Sequence, residues 1–168
     1  MMKSIKLDYL WFVIPTTLVI GLITFIATRP TPGESIANQG NKHLKTPEEQ
    51  HDTYNTKPPT SGPHLNEKAR WGVHTEQIDD ELQIHNLEDG GVIVHYDPDQ
   101  TDEATIQALT DIVESENESV ILEPYADLET PIVLTAWMHI DKLATLDEQR
   151  IKDFISAYKG IDHHVKGE

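Results

Sequence analysis

Residues 81–96 read ELQIHNLEDGGVIVHY, and the architecture turns on how they fold. Two short runs rich in β-forming residues, 82–85 (LQIH) and 91–96 (GVIVHY), flank Asn86-Leu87-Glu88-Asp89-Gly90, a turn-like composition. The reading is a β-hairpin. Strand alternation then sets Leu82 and Ile84 opposite Gln83 and His85. In the second run it separates Val92, Val94 and Tyr96 from Ile93 and His95.

Downstream, residues 102–115 place Ile106, Leu109 and Val113 at helical spacing, with acids in the first turn. Residues 119–123 and 132–137 read as two further strands joined by a Pro-containing loop. Met138 continues the Ile132/Leu134/Ala136 face, and His139 the Val133/Thr135/Trp137 face. Thr145-Leu146-Asp147-Glu148 is a capping-box pattern leading to Ile151, Phe154, Ile155 and Tyr158 on one helical face, with Gly160 as the stop. The order is ββαββα. It predicts an α+β domain: a four-stranded antiparallel sheet with two helices on one face, burying every apolar stripe.

Upstream, six of the ten prolines fall between Pro30 and Pro63 among Gly, Asn, Thr and Lys. Residues 30–60 therefore read as a Pro-rich tether and irregular arm, and residues 61–168 as the α+β domain. Residues 9–28 (YLWFVIPTTLVIGLITFIAT) carry no charge over 20 positions. That is long enough to cross about 30 Å of hydrocarbon, with Tyr9 and Trp11 where an aromatic belt belongs. The stretch exceeds a signal-peptide core, and Phe25 spoils a small-x-small cleavage site, which favours an uncleaved anchor. Lys3 and Lys6 precede the span and Arg29 follows it, which favours a cytoplasmic N-terminus. Residues 1–29 thus read as a cytoplasmic stub and transmembrane helix. The expected location is the cell membrane, single-pass, with the C-terminal domain extracytoplasmic and other envelope proteins as candidate partners.

Beyond residue 29 the chain carries 10 basic and 28 acidic side chains, a net charge of −18. Such a surface repels nucleic acid, whose partners need basic patches. The absence of cysteine excludes disulfides, thiolate catalysis and cysteine zinc cages.

All nine histidines lie beyond the apolar stretch, and without thiols imidazole is the obvious transition-metal ligand. His64 follows Pro58-Pro59-Thr60-Ser61-Gly62-Pro63, a stiff segment able to hold a side chain in place, and His85 heads the turn carrying Glu88 and Asp89. The expected site is His64, His85 and Asp89, with His43 or Met138 as a further ligand. Methionine sulfur favours copper; imidazoles with a carboxylate suit zinc or Cu(II). The plainer alternative is that His64 and His85 hydrogen-bond to backbone and fix the arm on the sheet. His163 and His164 read as solvated.

Gly40-Asn41-Lys42-His43-Leu44, Lys57-Pro-Pro-Thr-Ser-Gly-Pro-His64, Ile84 through Tyr96, Thr135-Ala136-Trp137 and Phe154-Ile155-x-x-Tyr158 together resemble the family catalogued as domain of unknown function 3105. The resemblance runs over roughly residues 38–160 and implies an N-terminal membrane anchor; it implies no established activity. The family's turn usually reads HNLEHGG, and this chain has Asp89 in place of the second histidine. The pattern H-x-x-E-H also invites a metal-dependent hydrolase reading with Glu88 as base. That geometry needs a helix, which Gly90-Gly91 and the β-branched run after them argue against. The functional expectation is a metal-binding or metal-handling module, with an interaction domain as the rival.

Overall fold

In a computed structural model, which describes residues 31–116 and 118–164, the deciding stretch is not a hairpin. Its first half is a helix, Asp80–Glu88 (α1), and its second half a strand, Val92–Tyr96 (β5). Strands β1 (Glu34–Ser35), β2 (His43–Leu44), β3 (His64–Leu65) and β4 (Gly72–Val73) precede them. Helix α2 (Glu103–Ser115), strands β6 (Val120–Pro124), β7 (Ile132–Ala136) and β8 (His139–Leu143), and helix α3 (Glu148–Tyr158) follow.

The strand reading of residues 82–85 fails because α1 has no solvent face. Gln83 through Glu88 are all buried, so polar and apolar positions carry no helical period to read. The pair Gly90-Gly91 ends this helix rather than forbidding it. Gly91 N–H donates to the Asn86 carbonyl and Gly90 N–H to the Leu87 carbonyl, with Gly90 at φ 80°. These are the two bonds of a Schellman stop. The objection to a helix through His85 and Glu88 is thereby overturned.

Instead of a four-stranded antiparallel sheet, six strands form a mixed sheet in the order β1-β8-β7-β5-β6-β4. The β1/β8, β8/β7 and β7/β5 pairs are antiparallel, while β5/β6 and β6/β4 are parallel. The parallel step arises because α2 carries the chain from the end of β5 back to the start of β6. Strand β8 was not anticipated; a two-residue turn through Trp137 and Met138 (φ 62°) joins it to β7. The described residues hold three helices rather than the two expected in the domain.

Alternation in β5 holds. Val92 and Val94 join Leu109, Leu134, Ile151 and Phe154 in the core beneath α2 and α3. Ile93 faces the other way, packing with Ile84 and Leu87 of α1, Ile121 and Trp137. The sheet is covered on both faces. The capping residue of α3 is Asp147, whose carboxylate accepts from Arg150 N–H, and not Thr145. Asp102 caps α2 by accepting from Thr105 N–H.

The arm belongs to this assembly. Thr60 carbonyl accepts from Met138 N–H, Met138 carbonyl from Ile36 N–H, and β2 pairs in parallel with β3. The chain divides into units Met1–Thr31 and Pro32–Glu168, and every element above lies in the second. Among the described residues no helix is long and apolar enough to cross a membrane. The expectation of an anchored single-pass membrane protein finds no support there; residues 9–28, where the span was placed, lie outside the described residues.

Candidate metal centre

The parallel bridge between β2 and β3 sets His43 directly beside His64, so both rings project from one side of the two-stranded ribbon. Helix α1 brings His85 and Glu88 to the same point, three residues apart and hence on one helical face. One donor atom from each of His43, His64, His85 and Glu88 lies within 4.8 Å of the others. The ring centroids stand 4.9 Å (His43–His64), 5.3 Å (His64–His85) and 5.5 Å (His43–His85) apart. Donors about 2.0 Å from a shared tetrahedral ion would be roughly 3.3 Å from one another, between the 3.0 Å of His64–Glu88 and the 3.9 Å of His43–Glu88.

Backbone carbonyls fix the two inner rings. His64 Nδ1 donates to the Gly62 carbonyl at 2.8 Å and His85 Nδ1 to the Leu65 carbonyl at 3.0 Å. Both rings are thereby oriented with Nε2 turned away from the backbone, the outer-partner arrangement that orients metal-ligating imidazoles. Burial pushes the His64 ring below the usual imidazole range, against the opposing pull of the Gly62 carbonyl and Glu88. Its Nε2 lies 3.0 Å from Glu88 Oε2, and both side chains are fully shielded from solvent. Glu88 Oε1 accepts from Asn41 Nδ2 at 3.0 Å. His43 Nε2 stands 3.9 Å from Glu88 Oε2, and 42% of its side chain is exposed.

The sequence motifs acquire separate jobs. In PPTSGPH, Ser61 Oγ accepts from Gln39 N–H, Gly62 N–H donates to the Gly40 carbonyl, and the Pro63 carbonyl accepts from the Tyr54 hydroxyl. These bonds seat the loop whose end carries His64. In HNLE, His85 and Glu88 face the cluster and Leu87 enters the core. Asn86 accepts from Ala69 N–H and donates to the Ala69 carbonyl, clamping the segment after β3. Gly91 leaves room for Trp71, since a Cβ there would lie 2.7 Å from its ring.

Of the residues singled out from sequence, His43, His64 and His85 come together. Asp89 stands at the C-terminal cap of α1, ion-paired to Lys68 and 3.7 Å from His85 Nε2, outside the inner four. It forms a second group with His85 and His164. Met138 packs beside the apolar cluster of Ile84, Leu87 and Trp137. Sequence reasoning missed Glu88 as a cluster member because it was placed in a turn, and His164 because tail histidines are usually solvated. The readable signal for Glu88 was an acidic first turn (Asp80, Glu81) ahead of a Gly stop, a helix signature without an amphipathic stripe. Glu88, the base of the hydrolase reading, lies among the grouped donor atoms.

A second buried polar group holds the N-terminal end of α1. Glu123 Oε2 accepts from Ile78 N–H at 2.5 Å, and the Tyr125 hydroxyl donates to Asp80 at 3.0 Å. His95 bonds Thr135 Oγ1 through Nε2; its Nδ1 is 2.9 Å from Glu123 Oε1, off the direction of a ring N–H. Burial raises both the Asp80 carboxyl and the Tyr125 hydroxyl above their ordinary ranges.

A family model described as Protein of unknown function (DUF3105) matches residues 45–167. The match spans His64, His85, Glu88, Asp89 and His164, and begins two residues after His43. No curated protein and no solved structure matches the chain.

Proposed function

The chain belongs to the DUF3105 family of proteins of unknown function, and we propose that its folded unit binds one divalent transition-metal ion, copper(II) or zinc, through His43, His64, His85 and Glu88. The observation that carries this reading is the pair of carbonyl-locked imidazoles. Each gives its Nδ1 proton to backbone, and His64 turns its Nε2 to a fully buried carboxylate. The 3.0 Å contact of His64 Nε2 with Glu88 Oε2 needs a proton or a metal cation between the two atoms. A proton satisfies one such contact, whereas a divalent ion satisfies three imidazoles and the carboxylate together.

The donors are nitrogen and oxygen, without sulfur. That chemistry disfavours the soft cuprous ion and suits zinc and copper(II), copper(II) being the tighter by the usual divalent order. A fully backbone-satisfied structural role would explain the Nδ1 bonds but not why His64 and His43 both bring Nε2 within 4 Å of Glu88 Oε2.

The test is titration of the full chain with zinc and with copper(II), set beside His64→Ala and His85→Ala. Saturable binding of one ion per chain at or below micromolar concentration, lost in both variants, is the expected outcome. No such binding, or binding indifferent to both substitutions, would falsify the reading.

A further inference from the structure

Three of the four inner donors are poorly placed to meet an ion from solution, His43 alone being 42% exposed. Glu88 and His64 are fully shielded, and His85 shows only 11% of its side chain. Across the mouth lies the C-terminal segment. Gly160 N–H donates to the Gly90 carbonyl and His163 N–H to the Glu88 carbonyl, at 2.8 and 2.9 Å, while the His163 ring stacks on Trp137. Gly90 is shaped for this contact: a Cβ there would sit 2.6 Å from the Ile161 nitrogen. The segment presents His164, 41% exposed, with Nε2 3.6 Å from Glu88 Oε2 and Nδ1 3.8 Å from Asp89 Oδ1.

His85, Asp89 and His164 thus make a second, shallower donor set that shares one member with the inner set. His85 has a single free nitrogen, because Nδ1 is committed to the Leu65 carbonyl. The two sets therefore cannot each hold an ion through His85 at once.

We propose that the outer set is a loading station: a divalent ion binds first at His85, Asp89 and His164, then passes inward while His85 keeps its bond. The inference rests on the inner set being a metal site. The transfer is ligand exchange alone. Bonds from Asp89 Oδ1 and His164 to the ion break, bonds from His43 Nε2, His64 Nε2 and Glu88 Oε2 form, and no electron changes hands. Loading through His164 Nδ1 displaces to solvent the proton that this atom shares with Asp162 at 2.7 Å. After transfer Asp89 remains paired with Lys68.

A transit station serves both directions, so removing it must slow entry and exit alike and leave the equilibrium untouched. The experiment mixes the full chain with copper(II) in a stopped-flow instrument and follows quenching of tryptophan fluorescence, Trp137 being 6.3 Å from His64. Release is driven with excess chelator, and Kd comes from chelator competition. For His164→Ala and Asp89→Asn, both rates are expected to fall about 10-fold or more, the range over which local charge and ligands alter capture, with Kd unchanged. Both residues lie outside the inner four, His164 exposed and Asp89 part-buried at the end of α1. A looser Kd at an unchanged association rate would make His164 a resident ligand and overturn the relay, as would unchanged rates in both variants. Wild-type chain that captures no copper removes the inner site itself, a result distinct from either.

Discussion

With Nδ1 of His64 given to the Gly62 carbonyl, its Nε2 lone pair meets Glu88 Oε2 across 3.0 Å in a space closed to water. The two atoms rest there only with a proton or a metal cation between them, because bare acceptors repel and neither can turn to solvent. Glu88→Gln changes that balance in opposite directions for two observables. The amide can accept from Asn41 through its oxygen and donate to His64 Nε2, so the metal-free variant is expected to melt no lower than metal-free wild type. Metal affinity is expected to drop about 100-fold or more, since even partners one bond removed from a metal are worth 10–100-fold. Thermal melts with and without copper(II) check both halves, and a variant that binds like wild type sinks the assignment of Glu88. At this scale the imidazoles were legible in sequence because a thiol-free chain leaves few other transition-metal donors. Glu88 was not, since a carboxylate's role depends on which backbone conformation aims it.

At the scale of elements, α1 shows how a helix escapes sequence reading. It is wedged between the sheet and the arm, held at one end by Glu123 and Tyr125 and at the other by its Gly stop and the tail. Burial all round removes the polar stripe that would announce it. The outer helices, α2 and α3, have one wet face each and were legible for that reason. Loops at the far end of the sheet depend on Asp97. Its carboxylate accepts from Asp99 N–H, Leu128 N–H and Gln100 Nε2. Burial pushes this carboxyl up, but those hydrogen bonds outweigh it and hold it below the ordinary aspartate range. A depressed folded-state pKa contributes stability that is complete above the unfolded value of about 3.9 and fades as pH falls through the folded one. Asp97→Asn, which turns a donor toward donors, is expected to cost about 1–3 kcal/mol near neutrality. Melting points measured from pH 7 to pH 3 should show the gap to wild type closing on acidification. A gap constant over that range would mean the carboxylate's charge plays no part.

For the molecule as a whole, the proposed binding would couple to folding, because donors spread over residues 43 to 88 converge only in the native state. At free metal near 100 times Kd the folded form gains about 2.7 kcal/mol by mass action. Calorimetric melts are expected to rise with copper(II) or zinc in wild type and to stay flat in His64→Ala; a flat response in wild type contradicts the site. Cysteine absence, acidic charge, the histidine supply, the strands from β5 to β7 and the two amphipathic helices were determined by the sequence alone, since composition and periodicity are local properties. Parallel pairing of β5 with β6, the short strands of the arm, the true nature of residues 80–88 and the meeting of His43, His64, His85 and Glu88 were decided only by tertiary structure. Each depends on which surface a segment finds to cover it, and that information is shared among residues far apart in the chain rather than written in any one stretch.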